Sequence, residues 1–259
     1  MLVLEYPLSF QLGSFHLYAH TLFELLAFFI GFRYYLHLRK NKADIISDQG
    51  RLWIIIGATF GALLGSRLIG ALEDPDLFFS GKAGWLYYYQ SKTIVGGLLG
   101  GLWGVELAKK IIGERHSSGD LFTFPLMLGM IIGRIGCFSM GIYEPTYGLA
   151  SSLPWALDLG DGITRHPTAL YEIVFLVTCW VALLALERRV NLVSGARFKV
   201  FMVSYLLYRF LVEFIRPGIV VGWGMTTLQW TCLIGLIYYW RVWLWPGSMV
   251  ESSSKSLSI

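Results

Sequence analysis

MVSYLLYRFLVEFIRP, residues Met202 to Pro217, is apolar enough to enter a bilayer, yet it carries Arg209, Glu213 and Arg216. A charge at the centre of a membrane helix costs about 2.5–3.5 kcal/mol by insertion scales, so it is rarely kept without a partner or a task. Tyr205, Arg209, Glu213 and Arg216 follow one another at i, i+4, i+8 and i+11. At 100° per residue they share an arc of about 80°, a polar stripe on one helix face. Arg209 and Glu213 could simply neutralise each other and hold helices together. Two arginines and a tyrosine sharing one glutamate leave a positive surplus, which favours a buried anion site.

Two further apolar stretches repeat the feature. GALLGSRLIGAL contains Arg67 and LMLGMIIGRIGCF contains Arg134. Arginine cannot shed its proton to escape the low dielectric, and its planar fork matches phosphate oxygens. Three helices placing arginines at similar depth predict a pocket for an anionic lipid headgroup. Gly133 and Gly136, flanking Arg134, would let such a group approach the backbone closely. The plainer reading of Arg134 alone is an arginine that snorkels to the interface.

Composition agrees with a membrane protein. Of the 259 residues 55% are hydrophobic and only 15% charged, where a soluble domain would carry about 25% charged. Mean hydropathy is +0.58. The net charge of +4 is spread out, with no basic patch suited to nucleic acid. Aromatic clusters at Trp85–Tyr89 and Tyr238–Trp245 fit the headgroup level of a bilayer. Cys137, Cys179 and Cys232 lie scattered in apolar stretches without metal-ligand spacing, so neither a disulfide framework nor a zinc site is expected, and no cofactor. MLVLEYPLSF lacks a basic start and a small-residue cleavage site, so the first span itself should direct insertion.

A span needs about 20 apolar residues. The expected fold is an all-α membrane bundle with seven spans, at 17–37, 52–72, 92–113, 121–141, 167–187, 198–216 and 226–245. Basic residues gather in alternate loops: Arg39, Lys40, Lys42 and Arg51; Lys109, Lys110 and Arg115; Arg188, Arg189, Arg197 and Lys199. By the positive-inside rule the N-terminus lies outside and the C-terminus in the cytoplasm. Residues 1–247 form one integral membrane domain, with 142–166 an external arm rich in Gly, Pro, Asp and Ser, and 248–259 a disordered cytoplasmic tail. Gly57, Gly61 and Gly65, and likewise Gly96, Gly100 and Gly104, repeat at four residues and predict close helix packing. No internal repeat points to an inverted-repeat transporter.

The remaining polar candidates cluster at span starts. RHPTALYE, Arg165 to Glu172, opens the fifth span, where Pro167 suits a first helical position. His166 and Glu172 are candidate proton carriers, or equally a cap and an interhelical hydrogen-bond partner. His16, Tyr18, His20 and Glu24 mark the start of the first span and rank below the arginines.

GRIGCFSMG (Gly133–Gly141), RHPTALYE and YLLYRFLVEFIRP (Tyr205–Pro217) resemble, in that order, the signatures of bacterial prolipoprotein diacylglyceryl transferases. LGSRLIG around Arg67, VGGLLGG (Val95–Gly101) and the segment at Tyr18 extend the resemblance over nearly the whole chain. It implies transfer of the diacylglyceryl group of phosphatidylglycerol to the cysteine thiol of a lipoprotein precursor, at the outer leaflet of the bacterial inner membrane, with release of glycerol phosphate. It further implies that Arg134 and Arg209 hold the lipid phosphate, that Tyr18 and Tyr205 line the site, and that Glu213 and Arg216 support it. Gly133, Gly136, Cys137, Gly148 and Arg67 count as further substrate-binding positions.

The chain departs from the family pattern on the acceptor side. Val95 replaces a histidine read as a candidate base, Cys137 replaces an asparagine, and Ile142 replaces a glutamate, with Glu144 displaced nearby. The arm before His166 is short. These changes describe a divergent member or paralogue whose acceptor is a thiol or another nucleophile, with His166, Glu172, Glu144 or water taking the proton. A non-catalytic lipid-binding or lipid-translocating protein is the alternative.

Overall fold

In the computed structural model, which describes residues 6–12, 15–41 and 44–251, the chain is built almost wholly from helices. Lys42 of the first basic loop, the opening five residues and the tail from 252 on lie outside the described residues. A short hairpin, β1 (Ser9–Leu12) against β2 (Phe15–Tyr18), leads into α1 (Ala19–Asn41) and α2 (Asp48–Ala71). Two short helices, α3 (Pro75–Phe79) and α4 (Trp85–Gln90), precede α5 (Ile94–Ile112) and α6 (Gly119–Met140). The arm then forms the hairpin β3 (Leu157–Asp158) and β4 (Thr164–Arg165). After it come α7 (Thr168–Arg189), α8 (Ala196–Val212), the hairpin β5 (Val220–Gly222) and β6 (Met225–Thr226), α9 (Thr227–Tyr238) and α10 (Trp240–Leu244).

Each expected span falls on a helix. Four helical segments among the described residues are long and apolar enough to cross a membrane: Ala19–Asn41, Asp48–Ala71, Gly119–Tyr143 and Thr168–Arg189. The others are shorter for local reasons. Gly113, at φ 73°, ends α5 by taking the left-handed conformation as its N–H bonds back to Lys109 O. Pro217 disfavours a helical residue before it, and Arg216 is accordingly extended (φ −110°, ψ 148°) after a tight 3-10 turn at Glu213–Ile215. The single span expected over 226–245 breaks at Tyr239 into α9 and α10. At the start of the expected tail, Met249 is buried, its carbonyl accepts from Val193 N, and Glu251 N donates to Asn191 O.

Exposure runs opposite to that of a soluble protein. Phe28, Phe29, Phe60 and Leu64 are 74, 65, 64 and 63% exposed, whereas Arg134, Glu172, Arg209, Glu213 and Gln229 are only 2 to 7% exposed. Such an apolar exterior around buried charge is satisfied in lipid and not in water. The tightest helix pair is α2 with α5. A Cβ on Gly57 would stand 2.5 Å from Gly104 O, and Gly61 and Gly65 meet Gly100 and Gly96 in the same way. The glycine repeats thus let two backbones touch. Similarly, α1 packs along α6, with Gly31 against Pro125 O.

Candidate active site

The site grows from the C-terminal halves of α6 and α8 and the N-terminal end of α7, which carry Arg134, the pair Tyr205 and Arg209, and Glu172. Arg134 Nε stands 2.9 Å from Glu172 Oε1. The approach is close but poorly directed, since Arg134 Nε has no hydrogen-bond acceptor. Tyr205 OH donates to the same carboxylate oxygen at 2.8 Å. One turn on, Arg209 Nη2 and Arg216 Nη1 both donate to Glu213 Oε2, at 3.2 and 3.1 Å. Arg216 Nη2 also donates to Pro145 O at 2.5 Å, tying the arm to this end of the bundle. Arg216 Nε, like Arg134 Nε, is buried without an acceptor.

Three arginines face two glutamates, a surplus of one positive charge within buried surroundings. Partial neutralisation lowers the cost of holding the arginines there, and the surplus gives an anion something to bind. The buried Arg216 Nε adds to this, because a buried N–H without an acceptor costs about 1–3 kcal/mol until a ligand or water satisfies it.

The expected trio of arginines is corrected in one member. Arg67 lies with other partners: its Nη1 reaches Ser91 O at 3.5 Å and its guanidinium sits 4.9 Å from the Tyr89 ring centre. Arg216, beyond the end of α8 rather than on its helical stripe, takes the third place in the buried network. The α4 turn, unseen in the sequence, supplies the Arg67 partners.

The glycines divide as well. A Cβ on Gly133 would meet open space, so nothing in the protein demands glycine there and room remains beside Arg134. Gly136 instead serves packing: its Cβ would fall 2.9 Å from Phe23 Cβ and 3.3 Å from His20 O on α1. Gly148 is also wedged, within 2.8 Å of His166 O and 3.0 Å of Ile215 O, as the arm folds back over α8. Both, expected at the substrate, lie where backbone segments meet closely.

His166 sits in the arm, where its N–H donates to Leu149 O and its Nδ1 lies 3.1 Å from Tyr171 OH. Trp155 Nε1 donates to that same hydroxyl at 2.8 Å, so the imidazole belongs to an arm-stiffening chain rather than to the arginine network. In the arm's turn Arg165 pairs with Asp161 at 2.6 Å and holds its carboxyl below the usual range. Tyr18, at the end of β2, is 44% exposed. Val95, in the family's histidine position, is 1% exposed within the apolar core.

Cys137 is one turn from Arg134, whose Nη1 approaches its Sγ at 3.6 Å. His20 Nε2 lies 4.0 Å from the same sulfur. The displaced Glu144 joins them: the donor atoms of His20, Cys137 and Glu144 all lie within 4.8 Å of one another. Glu73, just past α2, was not singled out from sequence. Glu73 is exposed, yet surrounding protein withdraws enough water to push its carboxyl up to about 7, with Arg216 and Arg209 opposing and Glu213 assisting.

Comparison with known proteins agrees with this geometry. The profile of the family described as prolipoprotein diacylglyceryl transferase matches residues 7–245. A phosphatidylglycerol–prolipoprotein diacylglyceryl transferase of Wolbachia pipientis subsp. Culex pipiens is 32% identical over 234 residues, covering 84% of each chain. Proteins of the same name from Pseudomonas aeruginosa and Zymomonas mobilis are 29% and 27% identical, over 86% of this chain. A helical membrane protein with a buried arginine network, matched by that profile along nearly its whole length, belongs to the prolipoprotein diacylglyceryl transferase family.

Proposed function

We propose that this chain transfers the diacylglyceryl group of phosphatidylglycerol to the cysteine thiol of a lipoprotein precursor. The observation that carries the reading is the buried network of Arg134, Arg209 and Arg216 around two carboxylates, with one uncompensated positive charge and a buried Arg216 N–H without an acceptor. A phosphodiester meets both demands. In the reaction a thiolate attacks the glycerol carbon that bears the phosphate. The C–S bond forms as the C–O bond breaks, and glycerol phosphate leaves with the electron pair. Charge grows on the departing phosphate, where guanidinium donors stabilise it more than they stabilise the bound lipid.

In this reading the chain crosses the bacterial inner membrane seven times, with the N-terminus outside, the C-terminus in the cytoplasm and the arginines opening toward the outer leaflet. The alternation of basic loops supports that orientation. Tyr18, exposed beside α1, would line the lipid entrance, and Gly133 leaves room for the headgroup. The relatives carry transferase names, which lends no support to a different acceptor or a non-catalytic role.

The test is purified protein in detergent or liposomes with labelled phosphatidylglycerol and a lipobox peptide. Peptide labelling with stoichiometric glycerol phosphate is the expected result. Bound phosphatidylglycerol without release of glycerol phosphate at any pH would refute the reading.

A further inference from the structure

We propose that His20, Cys137 and Glu144 form a site for a zinc-class divalent cation whose open fourth position takes the incoming thiol. The site itself stands on geometry; the role given to it rests on the transferase reading above.

Spacing along the chain could not reveal this set. His20 lies in the first turn of α1, Cys137 in the last turn of α6, and Glu144 just beyond the turn that follows. Yet their donor atoms gather within 4.8 Å of one another, with 4.0 Å between His20 Nε2 and Cys137 Sγ. Donors on a tetrahedral zinc are about 3.5 Å apart, given Zn–S near 2.3 Å and Zn–N near 2.0–2.1 Å. A contraction of up to about 1.3 Å, from 4.8 to 3.5 Å, would close the set.

The frame around the donors is rigid where it needs to be. Gly136 brings the backbone of α1 against α6, so that a Cβ there would be only 3.4 Å from His20 Cα. That close contact fixes the imidazole opposite the next residue, Cys137. On its other side Cys137 borders a narrow cleft beneath the arm, shared with Thr146, Tyr147 and Thr168.

The donor chemistry selects the cation. One thiolate, one imidazole and one carboxylate suit zinc and its softer neighbours, and disfavour magnesium and calcium, which want oxygen. Three protein ligands with one position free is the layout of catalytic rather than structural zinc. Two anionic ligands balance the dication. Arg134 Nη1 lies 3.6 Å from the sulfur, and its own charge is offset by Glu172.

This assigns a task to the acceptor side, where Val95 leaves no imidazole. A thiol that coordinates the cation gives up its proton to solvent. With two anionic protein ligands, the bound thiolate leaves the site at net charge −1, so its sulfur stays electron-rich. Its lone pair forms the C–S bond, the C–O bond to phosphate breaks, and glycerol phosphate departs with that pair. The cation keeps its oxidation state throughout.

Cobalt(II) is the probe. Chelator-stripped, detergent-purified protein titrated with Co²⁺ should bind one equivalent and develop a thiolate-to-cobalt absorption band in the near ultraviolet. The band should vanish in Cys137→Ser, weaken at least tenfold in apparent affinity in His20→Ala and Glu144→Gln, persist in Cys179→Ala, and be displaced by Zn²⁺. Absence of the band from wild type, or its survival in Cys137→Ser protein that elutes as a folded species, overturns the site. Transfer to a lipobox peptide should fall at least tenfold on stripping and return with Zn²⁺. A band that forms while transfer ignores metal overturns the thiol-activating role alone. Should no transfer occur in any metal state, the transferase reading fails, while the cobalt spectrum still decides the site.

Discussion

Arg134 Nε and Glu172 Oε1 stand 2.9 Å apart on neighbouring helices, both nearly closed to solvent, and Tyr205 OH donates to the same carboxylate oxygen. This carboxylate keeps a buried guanidinium affordable in lipid while leaving its Nε without a well-directed acceptor. Glu172, a candidate proton carrier by its place at the start of the fifth span, thus spends one carboxylate oxygen on Arg134 and Tyr205. Glu172→Gln removes the charge and keeps the shape. Breaking one side of a buried pair costs about 3–5 kcal/mol, so the variant should melt clearly lower in detergent and lose transfer. Unchanged melting by thermal-shift measurement would contradict the pairing.

Arg209 donates through Nη2 to Glu213. Arg209→Lys preserves charge but loses the planar fork that can serve a carboxylate and a phosphate together. The expected outcome is folded protein with transfer reduced at least tenfold and weakened phosphatidylglycerol binding, read by native mass spectrometry. Wild-type turnover in this variant would count against the pocket.

Val95→His would restore the family's residue in name only. Val95 is 1% exposed and packs in the apolar cluster with Leu176, Tyr205 and Leu206. A larger polar ring there overpacks the core and buries a nitrogen without an arranged partner, together about 1–3 kcal/mol of destabilisation. Lower stability with no gain in peptide transfer is expected. A gain in rate would mean that the core yields and that a missing base limits the reaction.

Glu73 supplies a pH signature. Its carboxyl is raised to about 7 in the folded protein from an ordinary value of 4.5. A raised carboxyl favours folding while neutral in both states, and that contribution is lost as pH rises from about 4.5 through 7. Glu73→Gln should therefore match wild type near pH 4.5 and gain on it progressively up to pH 8, in melting temperatures measured across that range. Ionised Glu73 also offsets Arg216 and Arg209, so lipid binding in wild type should weaken over the same interval. A flat difference between the two proteins would remove Glu73 from the site's electrostatics.

Gly61→Ala tests the close pair of helices. Its Cβ would run into the carbonyl of Gly100, which is backbone and cannot turn aside. Separation of α2 from α5 should cost about 1–3 kcal/mol and lower the melting temperature, whereas Gly133→Ala, which meets open space, should leave stability unchanged. Equal effects at the two glycines would contradict the packing described for α2 and α5.

The comparison of expectation with structure turns on what a linear pattern can carry. Arg134, Tyr205, Arg209 and Glu213 were legible because charge in an apolar run is conspicuous and helical spacing assigns it to a face. Arg67 was equally conspicuous, but its contacts with Ser91 O and the Tyr89 ring were not, because the α4 turn lies in a stretch read only as an aromatic interface. Gly136 and Gly148 were visible as glycines, but only the neighbouring backbones reveal that they are packed against protein. The short α9 was hidden because hydropathy continues unchanged across the break at Tyr239.

Hydropathy, glycine periodicity and the order of three motifs settle the membrane class, the tight helix pair and the family, since each rests on residues close together in the chain. Tertiary contact alone decides which arginines share a carboxylate, which glycines are walls, and that His20, Cys137 and Glu144 face one another. Those relationships join residues as far apart as His20 and Glu144. Helix packing, not local propensity, sets the distances between them, and charge and coordination depend on distance.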